Sequence, residues 1–245
     1  MKQAMILAAG VGSRLKPLTE KLPKALVPFH GVPMLEWLIL KLKRYGYTRL
    51  IINVHHHAEH ILSFIREKES FGVTISFSHE NTLLDTGGAL KQAIPHFDTS
   101  APLLVHNADI ISDIPFDVME SYHRQQHADV TLAVNQRTSS RYLRFTSAGQ
   151  LCGWENPATG ATLGQCPEAF MRRAFCGIHI LNPDVWTHFP NEKVFSIIPF
   201  YIGYARSHSV SGFDTGDRLW ADIGTVSKWR TAQKIFPEKY LKTHI

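Results

Sequence analysis

The sequence predicts an α/β fold: three layers, with helices on both faces of a Rossmann-like, mixed and mostly parallel sheet. Short apolar runs alternate with amphipathic stretches through the first half of the 245-residue chain, the pattern of right-handed βαβ units. Apolar residues make up 44% and charged residues 19% of the sequence, which excludes a disordered chain. No apolar run approaches the roughly 20 residues that cross a bilayer, so no membrane helix is expected.

Local sequence signals predict the strands and helices along the chain. Apolar runs predict strands at residues 4–8, 49–54, 73–77, 102–106 and 129–134. Amphipathic stretches predict helices at residues 33–45, 57–68, 87–94 and 115–127. The first of these helices has Pro33 at its start and Gly46 just past its end. Ligands in such sheets bind beyond the carboxyl ends of the strands, so the loops after residues 8, 77 and 106 are the expected site.

The second half of the chain lacks the regular alternation of strands and helices, but it contains no linker. A single domain of residues 1–245 is therefore predicted. A turn at Ser147-Ala148-Gly149 predicts a hairpin of residues 142–146 and 150–154, followed by a loop over residues 156–167. The remaining elements are strands at 173–181 and 218–223, a helix at 196–205 with Pro199 in its first turn, and a closing helix at 225–235.

Charge and cysteine content limit the class of protein further. The chain has 26 Lys and Arg against 21 Asp and Glu, scattered without a basic block, which favours a small anionic ligand over nucleic acid. Three cysteines, Cys152, Cys166 and Cys176, form an odd set without a Cys-x-x-Cys pair. They predict free thiols in a reducing cytosol, and the start of the chain predicts no signal peptide.

The first strand leads into a glycine-containing loop suited to phosphate. The run is Leu7-Ala8-Ala9-Gly10-Val11-Gly12-Ser13-Arg14-Leu15, and Pro23-Lys24-Ala25-Leu26-Val27-Pro28 follows it. Glycine lets backbone N–H groups close on phosphate oxygens, while Arg14 offers a forked cation and Lys24 a point charge. The loop lacks the third glycine of the dinucleotide fingerprint and the Lys-Ser/Thr of the ATPase loop.

These runs resemble the signature of the sugar-1-phosphate nucleotidylyltransferases, and the resemblance covers nearly the whole chain. It includes Asp85-Thr86-Gly87-Gly88-Ala89, Asn107-Ala108-Asp109, Phe175-Cys176-Gly177-Ile178 and Trp220-Ala221-Asp222-Ile223-Gly224-Thr225. The resemblance implies transfer of a nucleotidyl group, from UTP to N-acetylmuramate 1-phosphate, with release of pyrophosphate. GTP with mannose 1-phosphate and CTP with phosphocholine stay open, as does a non-catalytic subunit that binds nucleotide sugars.

The resemblance also implies the site residues. Its catalytic residues are Arg14, Lys24, Asp109 and Asp222, and the two carboxylates would bind Mg²⁺ with phosphate oxygens. Arg14 would hold the β and γ phosphates, and Lys24 the charge on the α-phosphate or the incoming sugar phosphate. The nucleotide-binding residues are Leu7, Ala8, Ala9, Gly10, Gly12, Ser13, Arg14, Glu80, Thr86, Gly87, Gly88 and Asn107. The sugar-binding residues are Lys24, Glu155, Asn156, Gly177 and Thr225. Residues 1–135 would form the nucleotide-binding half and residues 136–245 the sugar-binding lobe with its closing helix.

Two positions depart from the family pattern. Ala108 stands where glycine is common, and Asn156 stands where many members carry a lysine that contacts the sugar or its phosphate. Arg172 and Arg173 are candidates to supply the missing charge.

The reaction itself requires charge neutralisation and in-line positioning of the two substrates, and it does not require a protein nucleophile.

Two further features have ordinary structural interpretations. The cluster His55, His56, His57 and His60 has a metal-like spacing at 56 and 60, but it spans a strand end and a helix start, which favours a structural role. Trp220 is expected to form core or pocket wall. The sequence does not fix the assembly beyond a monomer or a small homo-oligomer.

Overall fold

The computed structural model describes residues 1–244 and confirms the predicted α/β fold. Its strands are Lys2–Leu7 (β1), Pro28–Phe29 (β2), Val32–Pro33 (β3), Tyr47–Val54 (β4), Thr74–His79 (β5), Leu103–Asn107 (β6), Ile110–Ser112 (β7), Val130–Asn135 (β8), Tyr142–Phe145 (β9), Leu151–Asn156 (β10), Ala161–Gly164 (β11), Met171–Leu181 (β12), Val210–Asp214 (β13) and Trp220–Asp222 (β14). Its α-helices are Met34–Arg44 (α1), Ala58–Glu67 (α2), Asp85–Ala93 (α3), Phe116–Gln125 (α4), Pro183–Thr187 (α5), Ile197–Tyr204 (α6), Val226–Ile235 (α7) and Glu238–His244 (α8).

The central sheet changes character along its width. Strands β5, β4, β1 and β6 are parallel, as the βαβ pattern predicts, and β13 pairs parallel to β8. The long strand β12 lies antiparallel to β6, β8 and β9, and β9, β10 and β11 continue as an antiparallel meander. The sheet is therefore mixed, with its parallel part in the first half of the chain.

Alternation along β1 explains the three layers. Ala4 and Ile6 are fully buried on one face with the apolar sides of α1, α2 and α4, while Met5 is buried on the other face with α3, α5 and α6. Successive side chains of a strand point to opposite faces, so one apolar strand serves two cores. A third cluster joins α7 and α8 to Phe29 and Trp37, which fastens the closing helices to the first half.

The predicted loop over residues 156–167 is wrong in part, because it contains strand β11. That strand pairs antiparallel with β10, with Gly153 opposite Gly164. The pairing brings Cys152 and Cys166 together in a disulfide whose Cα atoms are 5.0 Å apart. The prediction of three free thiols is therefore wrong for this pair, and Cys176 alone is free and buried. Sequence spacing did not reveal the bond because it depends on the register of the two strands.

Candidate active site

A cavity of about 470 Å³ lies beyond the carboxyl ends of the parallel strands, where the sequence predicted a ligand. Predicted nucleotide-binding residues that line it are Leu7, Ala8, Ala9, Gly10, Glu80, Thr86 and Asn107, and the predicted catalytic residues Lys24 and Asp109 line it as well. The remaining lining is mainly apolar and includes Ala108 and Val194. The cavity combines a backbone-lined loop, apolar walls and one cation.

A buried amide–carboxylate network holds the mouth of this cavity. The Asn53 side-chain oxygen accepts from the backbone N–H of Ala8 at 2.6 Å, and the Asn53 amide donates to Glu80 at 2.6 Å. The second oxygen of Glu80 accepts from the N–H of Leu84 at 3.1 Å. Asn53 was missed from the sequence, although a polar residue at the end of an apolar strand is a usable signal. Asn53 and Glu80 together therefore connect the ends of β1, β4 and β5, and both residues line the cavity.

The glycines at the start of α3 serve packing. A Cβ on Gly87 would lie 2.2 Å from the ring of Phe195, and one on Gly88 would lie 2.2 Å from the carbonyl oxygen of Lys193. The N–H groups of both glycines donate to the carbonyl oxygen of Phe195. Both N–H groups are therefore engaged within the protein, and nucleotide binding by Gly87 and Gly88 stays a prediction. Thr86 lines the cavity, and its hydroxyl accepts from the N–H of Ile197 at 3.0 Å.

Gly12 brings the phosphate-type loop close to Lys24. Its φ is +68°, and a Cβ there would lie 3.0 Å from both Lys24 Cβ and Thr19 Cγ2. The Thr19 hydroxyl donates to the Gly12 carbonyl at 2.8 Å, which fixes the turn. A one-turn 3₁₀ helix, Ser13–Leu15, follows and carries Arg14. Gly12 and Ser13 thus shape the loop, and Arg14 lines a separate groove next to the cavity.

The four predicted catalytic residues meet at the junction of the cavity and this groove. Lys24 forms an ion pair with Asp109. A Cβ added to Gly224 would lie 2.7 Å from an Asp222 carboxylate oxygen and 3.7 Å from both Lys24 Nζ and an Arg14 guanidinium nitrogen. The side chains of Arg14, Lys24 and Asp222 therefore border the same small space, and Asp109 joins them through Lys24.

Backbone pairing explains how two distant carboxylates arrive there. Strand β14 pairs antiparallel with β7, so that Asp222 lies opposite Ile110. The N–H of Ile223 donates to the carbonyl oxygen of Asp109 at 2.9 Å. Each carboxylate side chain is 22% exposed, which leaves oxygen atoms accessible at the junction.

The Asp222 carboxylate is stabilised in its charged form. Burial opposes ionisation, but the hydrogen bonds from Lys228 and from the Gly224 N–H, with the charges of Lys228 and Lys24, outweigh it and lower its pKa. Lys228 lies in the first turn of α7, where the Thr225 hydroxyl accepts from its backbone N–H at 3.3 Å. The predicted sugar-phosphate residue Thr225 therefore caps the helix that presents Lys228.

The other predicted sugar residues are placed by the distal strands. Glu155 is buried and forms an ion pair with Arg172 at 2.5 Å. Asn156 accepts from the N–H of Ala158 at 3.1 Å and so stabilises the turn before β11. Gly177 has a φ of +72°, and a Cβ there would lie 2.8 Å from the Asn107 amide nitrogen. Gly177 thus permits close approach to the junction, whereas Asn156 is used within its own turn.

The histidine cluster does not form a metal centre. The His57 ring contacts those of His56 and His60, with centroids 3.9 and 5.3 Å away, while His55 bonds the Glu80 carbonyl at 2.8 Å. Among the side chains that the structure describes, those of residues 1–243, no group of three or more histidine, cysteine, aspartate or glutamate residues is arranged to hold a metal ion. No helix in the same range is both long and apolar enough to cross a bilayer.

The chain has clear relatives among known proteins. Residues 3–145 match the nucleotidyl transferase family. N-acetylmuramate alpha-1-phosphate uridylyltransferase of Neisseria meningitidis serogroup B is 31% identical, over 95% of this chain and 97% of its own length. A mannose-1-phosphate guanyltransferase of Yarrowia lipolytica is 32% identical over 91% of this chain, which spans 60% of that relative. HddC from Yersinia pseudotuberculosis, solved in complex with GMP-PN, shares the fold with a TM-score of 0.76, at 22% identity over 96% of this chain and all of that one.

The chain belongs to the nucleotidyl transferase family. Its relatives are sugar-1-phosphate nucleotidyltransferases, which confirms the enzyme class that the sequence motifs predicted.

Proposed function

We propose that the protein joins UTP to N-acetylmuramate 1-phosphate and releases pyrophosphate. The observation that carries this proposal is the meeting of Arg14, Lys24, Asp109 and Asp222 at one junction between a cavity and a cationic groove. Similarity to the Neisseria enzyme over almost the full length of both chains supports the choice of substrates. GTP with mannose 1-phosphate is the alternative that the Yarrowia relative supports.

The two ends of the junction receive the two substrates. The base and ribose lie in the cavity formed by residues 7–10 with Thr86, Asn107 and Glu80, so that residues 1–135 are the nucleotide-binding half. The sugar lies against Gly177 and Glu155, in the lobe of residues 136–245. Gly12, Ser13, Gly87 and Gly88 shape the walls, while Asn156 and Thr225 support the sugar side through the turn and the helix that they stabilise.

The chemistry follows from the charges at the junction. A sugar-phosphate oxygen attacks the α-phosphorus, a new P–O bond forms, and the bond to pyrophosphate breaks with its electron pair leaving on the pyrophosphate oxygen. Lys24 neutralises charge on the α-phosphate, and Arg14 holds the β and γ phosphates and then the leaving group. No protein nucleophile takes part, because the two substrates react directly once they are aligned.

Asp109 and Asp222 have the donor atoms and surroundings that Mg²⁺ requires. They are two partly exposed carboxylates whose charges are balanced here by Lys24 and Lys228, and Mg²⁺ favours one or two carboxylates plus phosphate oxygens and water. When bound, Mg²⁺ supplies charge neutralisation for the phosphates. Release of Lys24 from Asp109 would free its ammonium for the α-phosphate.

The cellular setting is part of the same proposal. The substrates place the enzyme in the cytoplasm, in recycling of cell-wall sugars, as a monomer or a small homo-oligomer, without nucleic-acid or membrane partners.

A pyrophosphate-release screen tests the proposal. The four ribonucleoside triphosphates and dTTP are each paired with the 1-phosphates of N-acetylmuramate, N-acetylglucosamine, glucose and mannose, with and without Mg²⁺. We expect one dominant signal, from UTP with N-acetylmuramate 1-phosphate in the presence of Mg²⁺. A dominant GTP–mannose signal would move the substrate assignment to the alternative, and silence across the panel would favour a non-catalytic nucleotide-sugar-binding subunit.

A further inference from the structure

The cationic groove extends well beyond the junction. It has a volume of about 990 Å³ and runs from Asp222 along the 137–141 segment between β8 and β9. Four cations line it (Arg14, Arg137, Arg141 and Lys228), and among the described lining residues Asp222 is the one carboxylate. Arg14 lies at the junction and Lys228 is paired with Asp222, which leaves the two arginines of the segment to be explained.

Arg137 is fixed at the end of the groove nearest the junction. Its guanidinium lies 3.8 Å from the ring centre of Trp220 and donates to the Asn135 side chain and to the Phe175 carbonyl, both at 2.8 Å. Trp220 is itself held by a 2.8 Å hydrogen bond to the Cys176 carbonyl. The hydrogen-bond acceptors of Arg137 are neutral, so no carboxylate is hydrogen-bonded to the guanidinium. Its remaining N–H groups are available to an anion close to Asp222.

Arg141 occupies a different position, where the groove joins a second cavity. That cavity measures about 450 Å³ and is lined by Tyr142, Trp154 and Phe175, together with Ser139 and Arg141 from the groove wall. Aromatic and apolar walls of this size suit the C–H faces of a hexose ring. The Arg141 guanidinium has no hydrogen bond or ion pair with any of the side chains described in residues 1–243, so its donors are free.

From this placement we infer that Arg141 binds a carboxylate on the sugar, so that the acceptor is an acidic sugar 1-phosphate. The inference rests on the proposed function and identifies what selects its substrate. A neutral hexose presents hydroxyl groups, which a buried amide or serine serves as well, whereas a free guanidinium beside an aromatic cavity matches the planar, bidentate geometry of a carboxylate. Arg137, nearer to Asp222, holds the 1-phosphate.

The test compares two acceptors that differ only in the acidic group. N-acetylmuramate 1-phosphate is N-acetylglucosamine 1-phosphate with an added lactyl ether, which carries the carboxylate. Initial rates of pyrophosphate release with saturating UTP are measured for the wild type, Arg141→Gln, Arg141→Lys and Arg137→Gln, with Arg66→Gln on the exposed side of α2 as the matched control. Thermal melting verifies that each variant is folded.

We expect the wild type to prefer the acidic sugar, and Arg141→Gln to reduce that preference in kcat/KM about 10-fold or more, through KM. Arg141→Lys keeps part of the preference, Arg137→Gln raises KM for both sugars alike, and Arg66→Gln changes neither. Equal losses for the two sugars in Arg141→Gln, or no loss, would overturn the inference. A wild type that turns over both sugars equally would also overturn it, and with it the choice of N-acetylmuramate as the sugar, while leaving the nucleotidyl transfer of the proposed function intact; no pyrophosphate from any acceptor would contradict that transfer itself.

Discussion

The nucleoside cavity and the cationic groove meet at Lys24 but are built in opposite ways. The cavity has apolar walls and backbone groups, set at the ends of parallel strands and braced by the Asn53–Glu80 network. The groove is lined by four cations and is formed by a loop and the closing helix α7. Shape and backbone contacts therefore suit the uncharged nucleoside, whereas charge suits the phosphates and the acidic sugar. Changes at the two ends should have separable effects on the two substrates, and changes at the junction should affect both.

The largest effect is expected at the junction itself. Asp222→Asn removes one of the two carboxylates and leaves Lys228 without its partner, so we expect kcat to fall about 10³-fold with little change in melting temperature. Asp109→Asn should behave alike. The measurement is Mg²⁺-dependent pyrophosphate release, with Asp184→Asn on the exposed face of α5 as control. A loss below 10-fold in both variants would break the two-carboxylate assignment.

Lys24 should separate chemistry from binding. Lys24→Met removes the ammonium that faces both carboxylates, so we expect kcat to fall about 10²-fold while the Kd of UTP rises much less. Single-turnover rates and equilibrium binding of UTP without acceptor give the two quantities. If the Kd of UTP rises while kcat stays unchanged, Lys24 serves ground-state binding and the assignment to the α-phosphate in the transition state is wrong.

A change at the nucleoside end should affect binding of UTP without affecting binding of the sugar 1-phosphate. Asn53→Ala leaves the Ala8 N–H and the Glu80 carboxylate without their buried partner, which costs about 1–3 kcal/mol of unfolding free energy. We expect KM for UTP to rise about 10-fold and KM for the sugar 1-phosphate to stay within about 2-fold, since a displaced 7–10 loop touches only the nucleotide. Asn191→Ala, on the surface, is the matched control. Equal rises for both substrates would show that the two ends are not independent.

The smallest effect concerns acid stability of the core behind the site. Burial lowers the pKa of His179 to about 3, and neither ring nitrogen has a hydrogen-bond partner among the described side chains of residues 1–243. A group whose folded pKa lies below its unfolded pKa of about 6.5 favours the native state above pH 6.5, and that stability is lost as the pH falls toward 3.

His179→Leu should remove this loss, because leucine has no proton to take up on unfolding. The measured quantity is the loss of unfolding free energy between pH 7 and pH 5. We expect this loss to be about 1–2 kcal/mol smaller in the variant than in the wild type. Urea unfolding at the two pH values measures it, with exposed His60→Leu as control. An equal response of both variants to pH would contradict the role of burial at His179.

The same contrast between the two regions explains what the sequence could predict. In the parallel half the longer strands and helices are defined by neighbouring residues, so β1, β4, β5, β6, β8, the helices α1 to α4 and the phosphate-type loop were found with end shifts of a few residues, whereas the short strands β2, β3 and β7 were missed. The junction is different, because Asp222 reaches Asp109 through two three-residue strands whose pairing no local pattern reveals. Resemblance to a family supplied that pair.

The predictions for the distal lobe contained errors for the same reason, because its elements depend on pairing between distant segments. Strand β13, with the sequence VSGFD, is short and contains glycine. It is a strand because it pairs in parallel with β8. Strand β11 and the Cys152–Cys166 disulfide depend on a hairpin register that the Gly- and Thr-rich run does not display. Gly87 and Gly88 were found as motif residues, but their packing against Phe195 comes from a segment far along the chain.

The central claim is that the two anionic substrates react directly at the Lys24 junction, without a protein nucleophile. The most direct measurement is the stereochemistry at phosphorus, using UTP with a single chiral α-thiophosphate and reading the configuration of the nucleotide-sugar product by ³¹P NMR. One in-line displacement predicts inversion at the α-phosphorus. Retention would require two displacements and a covalent nucleotidyl–enzyme intermediate, and would contradict the account.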